Sequence, residues 1–323
     1  DFVYYQGFRG PIKIWNVDIS GIETFIAKKY ITKDSFEHFK NKVSGKETFG
    51  LVKDGHVATR EEITYETGVP LPYSIKDFLF DGWFEEIKKK SPTLSYNENL
   101  SKFTVLAPIP NPPKIICLAF NYIDHAEEQK IQSPEGPVIV MKPRTTLTGT
   151  NSEIRSPTFV KKLDYEVELA LVIGQNCKNV DESKAMEVIF GYMILNDVSA
   201  RDIQYGDQQF TRGKSFDTYA PCGPWITTAD EVPNPQNLKI MTKINGELRQ
   251  NSSTSKMFLK IPSIVSKLSK VMTLEKGDII STGTPKGVIW NNSNLEFLKD
   301  GDQIEMEIEK LGKLENTIKF VDE

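Results

Sequence analysis

Two acidic side chains at the start of an apolar segment are the first residues of this sequence that could do chemistry. Glu166 and Glu168 precede the apolar residues 169–173, and alternate residues of a strand project to the same side. At a separation of ~4 Å and an effective dielectric constant of ~20, two such charges repel by roughly 4 kcal/mol. Either a bound divalent cation or exposure to water removes this penalty. The pair alone leaves both alternatives open: a metal site, or an edge strand with a solvated acidic face.

A third carboxylate shifts the balance towards a metal site. Asp197 ends the apolar segment 191–197, and Arg201 follows four residues later as a candidate substrate clamp. Three carboxylates without His or Cys form a set of oxygen ligands, which favours Mg²⁺, Mn²⁺ or Ca²⁺ over zinc. We therefore predict that Glu166, Glu168 and Asp197 are metal ligands.

His125 is the candidate base among the three histidines of the chain. In a helical turn it shares a face with Glu128, three residues later. A carboxylate on one imidazole nitrogen fixes the tautomer and raises the basicity of the other nitrogen, which suits the activation of water. A salt-bridged surface turn is the alternative. His38 and His56 are expected at the surface.

Lys214 lies in a Gly-Lys-Ser string that resembles part of a phosphate-binding loop. That motif requires a glycine at the position of Gln208, so we reject this interpretation. Lys214 remains a candidate for stabilising an oxyanion or an enolate.

A second glycine-containing turn, at residues 281–287, could also contact a substrate. It could present backbone donors around Gly283 and the hydroxyl of Thr284 to a carboxylate. A plain turn is the alternative explanation of this string.

The elements that must position these residues are mostly strands. After residue 113, strands are predicted at 115–119, 138–140, 167–173, 191–197 and 303–308, and helices near 181–190 and 260–270. This pattern is α+β and not an alternating βαβ pattern. Earlier in the chain we predict a strand at 10–17, a hairpin around 54–55 and one helix from Ile75 towards Lys90, capped by Ser74.

A proline-rich segment divides the chain into two predicted domains. Pro108, Pro110, Pro112 and Pro113 follow a polar stretch. We predict a small N-terminal α+β accessory domain at 1–107 and a catalytic domain at 108–323. The alternative is that these prolines simply begin a strand within one domain.

Composition limits the classes of partner. The 323 residues carry a net charge of −4 with a pI of about 5.7, which argues against a nucleic-acid-binding protein. No apolar run approaches the ~20 residues needed to span a bilayer, so no membrane association is expected. Three cysteines without a CxxC pair favour a reducing compartment, and we predict a cytoplasmic location.

Five strings of this sequence, in order, resemble motifs of the fumarylacetoacetate hydrolase superfamily. They fall within residues 113–320, about two thirds of the chain. The strings are Asn121-Tyr122-x-x-His125-x-x-Glu128, Asp164-Tyr165-Glu166-Val167-Glu168-Leu169, Asn196-Asp197-Val198-Ser199-Ala200-Arg201-Asp202-Ile203-Gln204, Arg212-Gly213-Lys214-Ser215-Phe216-Asp217 and Thr282-Gly283-Thr284-Pro285.

The resemblance implies a fold, a metal and a set of roles. The fold would be a twisted mixed β-roll or sandwich with few helices, usually in a homodimer. Mg²⁺, or Mn²⁺ or Ca²⁺, would bind the three carboxylates named above. The pair His125 and Glu128 would lie on a lid over the substrate and act in catalysis with Lys214. The implied substrate contacts are Arg201, Gln204, Gly283 and Thr284.

The resemblance also implies a reaction class on a small 2-oxo or diketo acid. The first expectation is a divalent-metal-dependent hydrolase that cleaves a C–C bond of an acylpyruvate-like 2,4-diketo acid through a metal-bound enolate, because the His–Glu pair could activate water. The alternatives are an oxaloacetate decarboxylase or tautomerase, a 2-hydroxyhepta-2,4-diene-1,7-dioate-type isomerase, or a 2-keto-3-deoxy sugar acid dehydratase. A non-catalytic binding protein is a competing class.

Two positions depart from the family pattern or stand out. Leu118 takes the place of a fourth carboxylate ligand in the fumarylacetoacetate-specific branch, which favours the acylpyruvate and oxaloacetate branch. Arg144 is hypothesised to bind a second substrate carboxylate, with a surface arginine as the alternative.

Overall fold

The computed structural model describes residues 34–322, apart from 45, 54, 91–92 and 133. The strand predicted at 10–17 lies outside the described residues. No helix in the described part of the chain combines the length and the apolar character needed to cross a membrane.

The region before residue 108 forms an antiparallel five-stranded sheet with three short helices. The elements, in chain order, are β1 (Asp34–Asn41), β2 (Glu47–Lys53), β3 (His56–Thr59), α1 (Arg60–Thr67), α2 (Ile75–Phe80), α3 (Trp83–Lys90), β4 (Glu98–Asn99) and β5 (Phe103–Val105). The strand order of the sheet is β4-β3-β2-β1-β5. The pairing of β2 with β3 confirms the predicted hairpin.

The single helix predicted from Ile75 to Lys90 is wrong, because the chain forms two helices there. Ser74 caps the first helix as expected, its hydroxyl accepting a hydrogen bond from the Asp77 amide. The break comes at Gly82, whose φ of 93° lies in a region that glycine adopts readily and that no helix contains.

His38 is buried, so its predicted surface position is wrong. It lies on β1, an inner strand of the sheet, and only 1% of the residue is exposed. Its Nδ1 lies 3.3 Å from the carbonyl oxygen of Ala107. His56 is exposed, as predicted.

The rest of the chain is dominated by strands, which confirms the α+β prediction. Its elements, in order, are β6 (Ile115–Ala119), α4 (Ile123–Gln129), β7 (Val138–Met141), β8 (Leu147–Thr148), β9 (Ser152–Pro157), β10 (Leu163–Asp164), β11 (Val167–Ile173), β12 (Ile189–Asn196), β13 (Ser199–Ala200), α5 (Arg201–Gly206), β14 (Ala220–Thr228), β15 (Lys239–Ile244), β16 (Glu247–Ser253), α6 (Ile261–Val271), β17 (Ile279–Ser281), β18 (Gln303–Ile308) and β19 (Gly312–Val321). The five predicted strands and the helix near 260–270 are present. The segment near 181–190 forms a 3₁₀-helix at Glu182–Val188 instead of an α-helix.

Two mixed sheets form the body of this region. The seven-stranded sheet has the order β7-β6-β17-β11-β12-β14-β8, and the five-stranded sheet has the order β16-β15-β18-β19-β9. A short pair, β10 with β13, lies apart from them. Leu169 and Leu171 of β11 share an apolar cluster with Ile240 of β15 and Met306 of β18, so the two sheets enclose one core.

The N-terminal region packs on the opposite face of the seven-stranded sheet. Ala170 and Val172 of β11 belong to a second apolar cluster that includes Phe49, Phe78 and Phe84. Every residue of β11 is therefore buried, because both faces of this strand are covered. The boundary at 107/108 stays a prediction, but the residues on its two sides share a hydrophobic core.

Candidate metal and catalytic site

The three predicted carboxylates come together at one end of the seven-stranded sheet. β11 and β12 are antiparallel, with Val167 opposite Asn196, so the start of one strand lies beside the end of the other. One carboxylate oxygen each from Glu166, Glu168 and Asp197 lie within 4.8 Å of one another, and all three residues are buried. The alternative of a solvated edge strand is wrong, because β11 lies between β12 and β17 inside the sheet.

Alternation along β11 explains this arrangement. Glu168 projects to the same side of β11 as Ala170 and Val172, which face the N-terminal region, and Glu166 lies directly before the strand. The strand therefore buries apolar side chains along part of one face and presents carboxylates at its end. The alternation of residues in the sequence predicts that the two glutamates share a face. Their burial becomes visible only in the tertiary structure.

Buried cations surround two of the three carboxylates. Lys214 Nζ lies 2.7 Å from Glu166 Oε2 and 2.7 Å from Asp197 Oδ2. Arg201 donates to Glu166 Oε1 at 2.7 Å. Lys142, which follows β7, donates to Asp197 Oδ1 at 2.5 Å.

The cations give the carboxylates different proton affinities. Burial alone would raise the pKa of Glu166, but Lys214 and Arg201 outweigh it and lower this pKa to about 2. Burial, with Asp197 and Glu166 nearby, raises the pKa of Glu168 well above its ordinary value. Burial also opposes the charge of Lys214, yet Asp197 and Glu166 raise its pKa, so the ammonium stays protonated.

Glu168 is the carboxylate that lacks a cationic partner. Within the described part of the chain its hydrogen bonds come from the Ser281 hydroxyl at 2.6 Å and the Gly283 amide at 2.9 Å, and no lysine or arginine forms an ion pair with it. A divalent cation would supply the missing charge, and carboxylate oxygens are the ligands that hard cations prefer. The residues present therefore fit a divalent metal ion.

The turn at 281–287 supports these carboxylates. Gly283 has a φ of 90°, and its amide donates to Glu168, so it contacts a predicted ligand and does not line the cavity. The Thr284 hydroxyl lines the cavity while donating to the carbonyl of Val167 at 3.0 Å. Gln250, which the sequence analysis missed, donates to the same hydroxyl at 2.9 Å.

His125 and Glu128 share one face of α4, as predicted. His125 Nδ1 lies 3.5 Å from Glu128 Oε2, and the imidazole lines the same cavity as the carboxylates. Only 4% of His125 is exposed, so the alternative of a surface turn is wrong. Partial burial opposes the charge of Glu128, but the neighbouring His125 imidazole, together with hydrogen bonds from Asn291 and the Gly287 amide, lowers its pKa.

Gln129 is a further residue that the sequence analysis missed. Its side-chain nitrogen lies 2.7 Å from His125 Nε2. With Nδ1–H directed at Glu128, the amide of Gln129 donates to Nε2. This assignment of tautomer and amide orientation follows from the contacts. The Gln129 amide therefore occupies the lone pair of His125 Nε2, the nitrogen that would act as a catalytic base.

Arg201 and Gln204 both line the cavity, but the guanidinium is already engaged. Arg201 donates from Nε to Asp164 Oδ2 at 2.9 Å, from NH2 to Glu166, and from NH1 to Gln204 Oε1 at 3.1 Å. Because these contacts engage the guanidinium, Arg201 is placed to orient Glu166, a predicted metal ligand. It is less available to bind a substrate.

Asp164 anchors a loop to this network. It is fully buried, and its two oxygens accept hydrogen bonds from the amides of Ile289 and Trp290 at 2.9 and 3.0 Å. Asp164 lies in one of the five family-like strings but was given no role from the sequence. Lys142 lies outside those strings, and a lysine before a proline gave no signal of burial.

The remaining cavity wall is apolar and aromatic. It includes Leu118, Phe120, Val140, Tyr205 and Phe210. Leu118, the position at which the resemblance places a fourth carboxylate in another branch, is thus an apolar part of this wall.

Arg144 does not line this cavity. It is exposed and donates to Asn111 Oδ1 at 2.6 Å. This position matches the alternative of a surface arginine, and its hypothesised contact with a second substrate carboxylate stays a prediction.

Comparison with known proteins identifies the family of this chain. Residues 114–319 match the family described as fumarylacetoacetate (FAA) hydrolase, C-terminal. An oxaloacetate tautomerase of Bacillus subtilis (strain 168), YisK, is 44% identical over 239 residues, which are 72% of this chain and 79% of that protein. The mitochondrial oxaloacetate tautomerase fahd2 of Xenopus laevis is 40% identical over 253 residues, 77% of this chain and 79% of that protein.

Solved structures share the fold. A fumarylacetoacetate hydrolase from the psychrophile Exiguobacterium antarcticum gives a TM-score of 0.71 at 33% identity, covering 89% of this chain and 100% of that one. A maleylpyruvate hydrolase from Sphingobium sp. SYK-6, in complex with manganese(II) and pyruvate, gives 0.71 at 30% identity, covering 88% and 98%. The expected fold is confirmed. Because the family match spans more than half of the chain, and relatives at 40% and 44% identity cover more than two thirds of it, the chain belongs to the fumarylacetoacetate hydrolase family.

Proposed function

We propose that this protein is a divalent-metal-dependent enzyme that interconverts the keto and enol forms of a short 2-oxo acid such as oxaloacetate. The observation that carries the proposal is one cavity lined by three buried carboxylates, a buried lysine and a histidine with a carboxylate partner. The names of the relatives at 40% and 44% identity favour oxaloacetate as the substrate.

Glu166, Glu168 and Asp197 would hold the ion, with Mg²⁺ or Mn²⁺ as the candidates. When bound, a divalent cation supplies Lewis acidity towards the oxygens of a 2-oxo acid and so makes the neighbouring carbon more acidic. The manganese complex of a maleylpyruvate hydrolase supports this choice of ion.

Lys214 would stabilise the enolate. Its ammonium lines the cavity, is buried and remains protonated, because Asp197 and Glu166 raise its pKa. A buried positive charge is worth more to a developing oxyanion than the same charge in water.

His125 would move the proton. Gln129 donates to Nε2, so the lone pair lies on that nitrogen, while Nδ1 faces Glu128 at 3.5 Å. Nε2 can take a proton from the carbon next to the 2-oxo group and return one to it. Gln129 must release Nε2 before this step, since its amide donates there.

C–C bond hydrolysis of an acylpyruvate is a second candidate, and the pairing of His125 with Glu128 favours it. In that reaction His125 takes a proton from water, and the hydroxide adds to the 4-carbonyl carbon. The bond between carbons 3 and 4 breaks, its electron pair forms the enolate of pyruvate, and a carboxylic acid is the other product. Protonation of the enolate completes the balance.

The test is one pair of assays on purified protein with Mn²⁺ or Mg²⁺. Enol absorbance reports the tautomerisation of oxaloacetate, and loss of diketone absorbance reports cleavage of acetylpyruvate. The proposal expects metal-dependent acceleration of the first reaction. Metal-dependent cleavage of acetylpyruvate without tautomerisation would instead establish the second candidate. Acceleration of neither reaction would refute both. A homodimer and a cytoplasmic location remain predictions.

A further inference from the structure

Lys214 uses the carboxylate oxygens that a divalent cation would need. Its Nζ lies 2.7 Å from Glu166 Oε2 and 2.7 Å from Asp197 Oδ2, and the residue is buried. Two of the three carboxylates of the candidate centre are thus bridged by one ammonium. An ion bound to the same carboxylates would draw on the same lone pairs.

The opposite oxygen of each bridged carboxylate is held by a different cation. Arg201 donates to Glu166 Oε1 at 2.7 Å, and Lys142 donates to Asp197 Oδ1 at 2.5 Å. Both carboxylates would therefore keep their orientation if Lys214 moved away. Lys214 is the one cation of this network, among the described residues, that joins two predicted metal ligands.

We propose that Lys214 and the divalent cation compete for Glu166 and Asp197, so that metal binding displaces the ammonium, while Lys142 stays on Asp197 as a fixed counter-ion. The proposal rests on the metal centre of the proposed function. Its consequence is an order of events. The ion binds first, and the Lys214 ammonium, which lines the cavity, then becomes available to the substrate.

Lys142 provides a matched control for the effect of charge. It carries the same charge as Lys214, it is equally buried, and it contacts the same Asp197. The other polar contact of its ammonium, among the described residues, is the carbonyl oxygen of Val198, at 3.3 Å. Replacing Lys142 by methionine removes one positive charge without removing a bridge between two predicted ligands.

The experiment is a titration of the chelator-treated protein with Mn²⁺, in which electron paramagnetic resonance counts the free ion. We expect Lys214→Met to bind Mn²⁺ about 10- to 100-fold more tightly than the parent, since a competing charge at contact distance is gone. Lys142→Met should gain clearly less. Lys214→Arg, which keeps the charge, should bind no more tightly than the parent. Circular dichroism checks folding, and Lys214→Gln takes the place of Lys214→Met if the methionine variant does not fold.

Three outcomes would overturn the proposal. Lys214→Met could bind Mn²⁺ no more tightly than the parent. The two methionine variants could gain equally, in which case net charge explains the effect and the ion and Lys214 share the oxygens. The third outcome is that Mn²⁺ binds neither to the parent nor to any variant, which would show that these carboxylates do not form a metal centre. The titration contains no substrate, so failure of the proposed reaction leaves the predicted order of affinities intact.

Discussion

Asp164→Asn tests whether the buried ion-pair network holds the site together. Asp164 is fully buried, and each of its oxygens accepts two hydrogen bonds. Oδ1 accepts from the amides of Tyr165 and Ile289, and Oδ2 accepts from Arg201 and the amide of Trp290. All four groups are donors. An asparagine of the same shape must turn its NH₂ group towards one of these pairs of donors.

The substitution therefore costs both hydrogen bonds and charge. Two donors, either the amides of Tyr165 and Ile289 or Arg201 with the amide of Trp290, lose their acceptor. Arg201 also keeps only Glu166 as an anionic partner. Breaking a buried ion pair by removing one partner costs about 3–5 kcal/mol. We expect the free energy of unfolding to fall by that amount, measured by urea titration with tryptophan fluorescence, because Trp290 lies in the anchored loop.

Asp202→Asn is the matched control. Asp202 is a neighbour of Arg201 in sequence, but it is only half-buried and accepts from the amides of Lys161 and Ile203. Its substitution should cost less than about 1 kcal/mol. If Asp164→Asn stays within about 1 kcal/mol of the parent, or if both variants behave alike, the reasoning about the network is refuted.

Three further predictions concern the core, the base and the ion. Phe78→Ala should lower the free energy of unfolding by about 3–5 kcal/mol, because the ring is fully buried and lies 4.8 Å from the ring of Phe49; a urea midpoint close to that of the parent would show that the shared core is dispensable. His125→Ala should slow oxaloacetate tautomerisation by about 10²- to 10⁴-fold and leave Mn²⁺ affinity near that of the parent; an unchanged rate in the enol assay would exclude His125 as the base. Removal of divalent ions with EDTA should abolish turnover, and added Mn²⁺ should restore it in the parent but not in Glu168→Gln; full activity in EDTA would contradict the metal requirement.

Local spacing in the sequence predicted part of the acidic cluster. Glu166 and Glu168 are two residues apart at the start of β11, and Asp197 follows the end of β12, which pairs with it. The antiparallel pairing of β11 with β12 then brings the three carboxylates together. The helical spacing of His125 and Glu128 likewise predicted their contact.

The sequence could not predict the cations that balance this cluster. Lys142, just after β7, contacts Asp197, which lies 55 residues later in the chain, and Arg201 contacts Asp164, which lies 37 residues earlier. Such contacts depend on strand order, which no local pattern encodes. Arg144, two residues after Lys142, shows the opposite outcome, since it is exposed.

The burial of residues in the N-terminal region could not be predicted from neighbouring residues in the sequence either. His38 looked like a surface residue because its neighbours in sequence are charged, but β1 lies between β2 and β5. The helix predicted over 75–90 failed at Gly82, where the cost of glycine in a helix was underestimated. The shared apolar cluster of Phe78 and Ala170 is a property of the fold and has no signature in either segment.

The central claim is that Glu166, Glu168 and Asp197 form a divalent metal centre, and anomalous diffraction from crystals grown with Mn²⁺ tests it most directly. The account predicts one strong anomalous peak within bonding distance of an oxygen from each of the three carboxylates, with Lys214 Nζ no longer bridging Glu166 and Asp197. A peak elsewhere, or no peak at this cluster at saturating Mn²⁺, would contradict it.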